Sequence, residues 1–405
     1  MVPRDSYLNT LDKLRNKQII KVLTGVRRCG KSTILQLYQE RLLKSGVNTN
    51  QIQTLNFEDL DLVSIKTYLD LYNYINEHLI PNKMNYIFID EIQSIPNFEK
   101  ALDSLYIKNN VDLYVTGSNA FMLSGELATL LSGRYIEIPI YPFSFKEFLQ
   151  TTELSKEEAF STYLERGGFP FATELNDNNT YLSYIQGIIN TVLIKDILTR
   201  VNRGNATLLE AIASFLTEAN GSLVTPAKIA NTLTSNGIKT SNATVISYLE
   251  KLVNCNIISI ALVNSYLFYQ CNRYDIAGKK YLQINSKYYP VDPALRRALL
   301  GQKRPNMGSR LENIVFMELK RRGYKVYVGS LKNKEIDFVA IKDGVKQYYQ
   351  VSLTVQDDKT YNREIAPFLE ITDNYRKILL TQDPGSYNDN GIEQINVIDW
   401  LLKEQ

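Results

Sequence analysis

Cysteine, histidine and tryptophan are scarce in this 405-residue chain, which has three, one and one of them. Cys29, Cys255 and Cys271 are too few and too scattered for a disulfide framework or a tetrahedral zinc site, so free thiols in a reducing compartment are expected. The single histidine, His78, lies among helix-like polar residues in "NYINEHLIPN" and reads as a surface residue. Histidine-dependent zinc chemistry and a Ser-His-Asp triad are therefore left without their central group. No segment approaches the roughly 18 uncharged apolar residues of a membrane span. The start, "MVPRDSYLNT", lacks the basic-then-apolar pattern of a secretory signal, so a cytoplasmic protein with no membrane partner is expected. Charge of one sign is lacking too: the net charge is +3, and "RRALLGQKR" and "KRR" read first as solvated faces. The 27 tyrosines are spread over the whole chain and do not single out a base-stacking platform.

What remains is the composition of a globular protein, 44% hydrophobic and 22% charged. Its length suggests about two to four domains, each with its own core. From Gln18 to Pro142 the β-rich runs "QIIKVLTG", "IQTLNFED", "NYIFIDEI", "VDLYVTGS" and "YIEIPIYP" alternate with helix-like stretches, the signature of a parallel sheet covered by helices. From Phe143 to about Asn205 the pattern is mostly helical, broken at "RGGFPFA" by Gly167, Gly168 and Pro170. Ala206 to Leu300 reads as three short helices, with starts at Thr225 and Ser241, followed by β-like runs, which suggests a winged helix. Gly301 to Gln405 reads as a helix followed by strands, a separate α/β unit.

The stretch "KVLTGVRRCGKST" matches G-x-x-x-x-G-K-[ST] in full, between a strand-like and a helix-like run. Glycines let the loop curl so that successive N–H groups face a phosphate, and the helix N-terminus adds positive potential. The nucleotide-binding residues expected are Gly25, Arg28, Cys29, Gly30, Lys31, Ser32 and Thr33, with Lys31 on the β- and γ-phosphates. Arg27 and Arg28 face either phosphate or solvent. Farther on, "YIFIDEI" ends a hydrophobic strand in two acids. Ser32 and Asp90 are the expected Mg²⁺ ligands, and Glu91 the base that polarises the attacking water. "TGSNA" brings Thr116, Ser118 and Asn119 beside that strand, with Asn119 a candidate sensor of the γ-phosphate; ordinary turn chemistry explains these residues equally well. Arg134 in "LLSGRYIEI" is either an arginine delivered to the transferring phosphate or one half of a surface ion pair.

Taken in order, "GVRRCGKST", "YIFIDEIQ", "VTGSNAFML", "LSGRYIEIPIYPFSFKEFL", "ERGGFP" and the terminal "LENIVFMELKRRG", "EIDFVA" and "YQVSLT" resemble the prokaryotic AAA-type ATPases that carry a C-terminal domain of unknown function. The resemblance covers nearly the whole chain. It implies an α/β fold: a P-loop NTPase of the additional-strand, AAA-like class over 1–150, a helical lid or linker over 151–205, a winged-helix module over 206–300, and a small restriction-endonuclease-like domain related to the PD-(D/E)XK nucleases over 301–405.

A PD-(D/E)XK site needs an Asp on one strand and an acid-x-Lys on the next, so that carboxylates hold Mg²⁺ and the lysine assists water. Glu312 and Asp337 match, but Gln350 and Ser352 stand where the acid and lysine belong, and no pattern brings Lys346 or Lys359 near Asp337. Ser309-x-x-Glu312 also has capping-box spacing. On the presumed recognition helix, Val245, Leu249, Leu252 and Val253 form the buried stripe, leaving Asn242, Thr244, Ser247, Tyr248 and Lys251 outward, too few cations for phosphate contacts. The sequence is therefore read as a Mg²⁺-dependent ATPase that couples ATP to recognition of DNA or protein, with an oligomer open. The alternatives are an ATP-controlled nuclease and a nucleotide-gated binding switch with negligible turnover.

Overall fold

The computed structural model describes residues 1–117, 131, 133–197, 205–254, 266–301, 306–332 and 334–403. The chain divides into two compact units, Met1–Tyr141 with Tyr266, and Pro142–Asn256 with Leu267–Gln405.

The first unit is built on a parallel sheet of β1 (Ile20–Thr24), β2 (Ile52–Asn56), β3 (Asn85–Asp90), β4 (Val111–Thr116) and β5 (Tyr135–Pro139), in the order β2-β3-β4-β1-β5. Every residue of β1 and β3 is buried, as expected of strands covered on both faces, whereas the edge strands β2 and β5 are each largely open. Successive residues of β3 serve opposite faces. Ile87 and Ile89 join Leu102, Leu105 and Val115 in one core. Phe88 turns the other way and stacks on Tyr114 at 4.7 Å, beneath Tyr38 of the helix Lys31–Lys44. The strand β4 lies between the loop-bearing β1 and the acid-bearing β3, the arrangement expected of the additional-strand class.

In the second unit, nine described strands form one sheet. They are β6 (Val253–Asn254), β7 (Phe268–Asp275), β8 (Lys280–Pro290), β9 (Lys325–Leu331), β10 (Lys334–Lys342), β11 (Val345–Val351), β12 (Arg376–Thr381), β13 (Ser386–Asp389) and β14 (Ile392–Asn396). The order is β13-β14-β12-β11-β10-β9-β7-β6, with β8 paired to β7. The β7–β8 hairpin thus continues the terminal sheet through parallel pairing of Arg273–Asp275 with Val328–Ser330, and the sheet runs through the position expected to separate 206–300 from 301–405. The helix Met307–Arg321 lies against it, with Phe316 stacked on Tyr289 at 4.2 Å.

Before that sheet come helices Lys156–Arg166, Asn178–Asn190, Ala206–Glu218, Pro226–Ser235 and Asn242–Leu252. The Thr225 hydroxyl accepts from Lys228 N at 3.0 Å, the cap its sequence context suggests. The helix Lys156–Arg166 ends at Gly167, whose φ of 69° suits glycine. Asp292 accepts from Gly168 N and Ala294 N, both at 2.8 Å, and burial pushes its carboxyl up to about 6.

Three local readings need correction. Tyr248 is buried, not outward: it lies one turn from Val245 and Leu252 on the packed stripe, and its hydroxyl accepts from Asn205 N at 2.8 Å. Val253 lies beyond that helix, in β6. Ser309 and Glu312 do not form a capping box, because the cap is Asn306, whose Oδ1 accepts from Ser309 N at 3.2 Å. Glu312 is thereby left for other partners.

Candidate nucleotide site

The end of β1 delivers the loop Gly25–Gly30 directly into the helix Lys31–Lys44. Gly25 has φ 145° and a backbone so close to the Ile140 carbonyl that a Cβ would not fit. Gly30 caps the helix in the left-handed conformation at φ 100°, and Arg28 adds a second left-handed turn at φ 65°. Alternation of handedness in this manner points backbone N–H groups inward, toward an anion. Lys31 is buried and its Nζ donates to the carbonyls of Gly25 at 3.0 Å and Val26 at 3.3 Å, so the ammonium lies within the loop's curl. Ser32 and Thr33 follow in the first helical turn. Ser32 is exposed, as is Arg28 at the crest, while Cys29 is buried and burial pushes its thiol up, away from thiolate chemistry.

Strand register carries the acids to the same edge. Leu23 pairs with Thr116, and Val115 with Ile89, so Asp90 lies level with Thr116 at the ends of the strands. The Thr116 hydroxyl donates to Asp90 Oδ1 and accepts from Glu91 N at 3.1 Å, clamping both acids from the intervening strand. Glu91 itself adopts the left-handed region at φ 54°, a conformation that costs a non-glycine residue energy and turns the chain sharply at this point. Gln93 Nε2 donates to Glu91 Oε2. The hydroxyl of Ser32 and the carboxylate of Asp90 are hard oxygen donors of the kind Mg²⁺ takes, with phosphate oxygens and water to complete its shell. Ser118 and Asn119 lie outside the described residues.

Arg134 is not brought to this edge. Its carbonyl accepts from Ile20 N at 2.8 Å, at the start of β1, and strand geometry separates that level from Thr24 by about 13 Å. Its guanidinium pairs with Asp103 and lies 5.4 Å from the Tyr106 ring centre.

Arg4 is a residue that the sequence motifs did not single out. It is 2% exposed; Nη1 donates to the Cys29 carbonyl at 3.0 Å and Nη2 to the Tyr141 carbonyl at 2.9 Å, tying the phosphate loop to the chain beyond β5. Nothing in "VPRDSYL" distinguishes a buried arginine from a solvated one. A hydrogen bond from a charged donor contributes about 1.5–3 kcal/mol, so Arg4→Ala should lower the unfolding free energy by about 3 kcal/mol. Urea titration checks this, and an unchanged midpoint would show that the tie carries no stability.

In the second unit, Glu312 and Asp337 do come together. Asp337 Oδ2 accepts from Val351 N at 2.8 Å, and burial, reinforced by the Glu312 charge, pushes its carboxyl up. Gln350 bridges two neighbours: its Oε1 accepts from Asp337 N at 3.3 Å and its Nε2 donates to Glu364 Oε2 at 2.9 Å. Ser352 lies past the end of β11, its hydroxyl donating to the Thr354 carbonyl at 3.1 Å. Lys346 pairs with Asp373 instead, and the lysine that does reach Asp337 is Lys287 of β8.

Residues 17–149 match the family described as AAA domain, and residues 157–306 match a domain of unknown function. An uncharacterized protein of Haemophilus influenzae is 41% identical over 413 residues, spanning 100% of this chain and 99% of the relative. Another from Methanocaldococcus jannaschii is 29% identical over 403 residues, spanning 94% of this chain and 85% of the relative. Among solved structures, a Walker-type ATPase of Pyrococcus abyssi is similar over 74% of this chain and 96% of its own, at 14% identity and a TM-score of 0.48, too loose a likeness to transfer residue roles. No helix among the described residues is long and apolar enough to cross a membrane. The chain belongs to the family of the Haemophilus influenzae protein, and in this member an N-terminal AAA domain with a P-loop precedes a domain of unknown function.

Proposed function

We propose that the chain is a Mg²⁺-dependent ATPase whose nucleotide state governs recognition of a macromolecular partner, DNA or protein, by the second unit. ATP binding is supported by the AAA domain and its phosphate loop. The reading of hydrolysis is carried by one observation, the pair Asp90 and Glu91 held by Thr116 one strand away from the loop-bearing strand. In this reading the loop amides, from Gly25 through Arg28, Cys29 and Gly30 to Ser32 and Thr33, cradle the β-phosphate. Lys31 exchanges its bonds to the Gly25 and Val26 carbonyls for the β- and γ-phosphate oxygens. Ser32 and Asp90 would hold Mg²⁺, which would supply neutralisation of the phosphate charge. Glu91 orients the attacking water and accepts its proton, and Asn119 senses the γ-phosphate. Arg134 serves the phosphate of a neighbouring copy, which makes the working ATPase an oligomer.

A second reading, the nucleotide-gated switch with negligible turnover, is supported by the bond from Gln93 to Glu91, which engages the base's carboxylate. In that case a partner is captured in the presence of ATP without product formation. Both readings need the loop to bind nucleotide, and titration with a fluorescent ATP analogue tests it. Lys31→Ala should weaken binding at least about tenfold, the loss of one strong charge-assisted phosphate contact. Affinity equal to the wild type would contradict both.

A further inference from the structure

The resemblance to PD-(D/E)XK nucleases implies a divalent metal between Glu312 and Asp337, and the residues present do not fit one. Among the described residues no group of three or more His, Cys, Asp or Glu side chains is disposed to hold a metal ion. The middle of the carboxylate cluster is taken by Lys287. Its Nζ lies 2.9 Å from Glu312 Oε1, 2.7 Å from Glu335 Oε1 and 3.9 Å from Asp337 Oδ1. The first two distances are those of charge-assisted hydrogen bonds.

The lysine is held as firmly as its partners. Its side chain is 2% exposed. Burial alone would lower its proton affinity, but Glu312, Asp337 and Glu335 more than offset this and keep the ammonium charged well above the ordinary lysine range. Glu312 is fixed from a second side by the Tyr289 hydroxyl, which donates to the same Oε1 at 2.6 Å. Both Lys287 and Tyr289 belong to β8, and alternation along that strand turns them to the same face.

Lack of access does not account for the arrangement. A cavity of about 470 Å³ opens beside the cluster, lined in part by Ser309, Glu312, Asp337, Gln350, Thr354 and Glu364. Ions can therefore reach the acids from solution, and the place between Glu312 and Asp337 is already taken by the Lys287 ammonium. A lysine that assists an attacking water stands beside the metal; this one stands among the carboxylates themselves. Gln350, in the place of the second strand acid, adds no negative charge that would call for a further cation.

We infer that the Lys287 ammonium is the resident cation of this centre, standing where the resembled nucleases hold a divalent metal, so that the terminal sheet offers a metal-free binding cavity and does not cut nucleic acid. The inference is independent of ATP hydrolysis, since all its residues lie in the second unit.

Mn²⁺ titration of the full chain without nucleotide, followed by electron paramagnetic resonance, tests it. Wild type and Asp337→Asn should titrate alike. Lys287→Met, which keeps the length and removes the charge, should gain a site that binds Mn²⁺ about tenfold or more tighter than the wild type. That gain should vanish in Lys287→Met combined with Asp337→Asn. A Mn²⁺ site in the wild type that Asp337→Asn removes, or Mn²⁺-dependent DNA cleavage lost in Asp337→Asn, would overturn the inference, as would a folded Lys287→Met chain with no gain. If Lys287→Met does not fold, the comparison of wild type with Asp337→Asn decides by itself.

Discussion

Glu91→Gln is expected to bind ATP as the wild type does and to turn it over about two to four orders of magnitude more slowly, the usual contribution of a positioned general base. The substitution removes the charge that accepts a proton and little else. Gln has the same length and meets the same backbone cost at φ 54°, and the Glu91 N–H that donates to Thr116 is untouched. Asp90, clamped separately by the Thr116 hydroxyl, keeps its place. Binding and chemistry should therefore separate cleanly, with nucleotide affinity unchanged and single-turnover conversion to ADP slowed by the same factor. Turnover retained in Glu91→Gln would remove this residue from the mechanism and leave the acid pair as a capped strand end.

Arg134→Ala should lower turnover by about three orders of magnitude or more if the guanidinium stabilises charge on a transferring phosphate. Its position at the start of β5, level with Ile20, is the wrong end of the sheet for its own nucleotide. In the proposed function a second copy presents it. The ion pair that now holds it, with Asp103, is about 40% exposed on both sides, and such pairs contribute about 0–1 kcal/mol, so releasing the arginine costs little. The expectation is checked by mixing. Arg134→Ala has an intact loop and acids but no arginine to donate, whereas Lys31→Ala has the arginine but no working loop. Mixed oligomers should recover turnover that neither variant has alone. An Arg134→Ala chain as active as the wild type would reduce the residue to its surface pair, and a loss that mixing never repairs would contradict action from a neighbour.

The geometry of the candidate phosphate loop is legible because its information is local. Gly25, Gly30, Lys31 and Ser32 are contiguous with a strand and a helix, and the conformations they take are those their types favour. The strands of the first unit are likewise readable, most plainly β1 and β3, which are buried throughout and leave no polar alternation to misread. Pairing was not legible. That β7 continues the terminal sheet through β9 depends on partners far apart in the chain, so local composition suggested two modules where strand pairing makes one sheet. Lys287 is not legible for the same reason: it approaches Glu312 and Asp337 from β8, whereas Lys346 and Lys359 lie nearer Asp337 in sequence. The face that Tyr248 takes is not legible either, because an amphiphilic side chain fits either face of a helix and its partner, Asn205 N, lies 43 residues away. Arg4 shows the converse, a charged residue in a polar-looking run that is buried by bonds to two carbonyls.

In the proposed function the phosphate loop and the acid pair act together on ATP. The most direct test is steady-state phosphate release by the purified full chain with ATP and Mg²⁺, alone and with duplex or single-stranded DNA, using Lys31→Ala as the blank. Release above the blank that is abolished by chelating Mg²⁺ is the expected result, and a change in rate on adding DNA would identify nucleic acid as the partner. Release equal to the blank under every condition, from a chain that binds ATP normally, would contradict the ATPase and leave a nucleotide-gated switch.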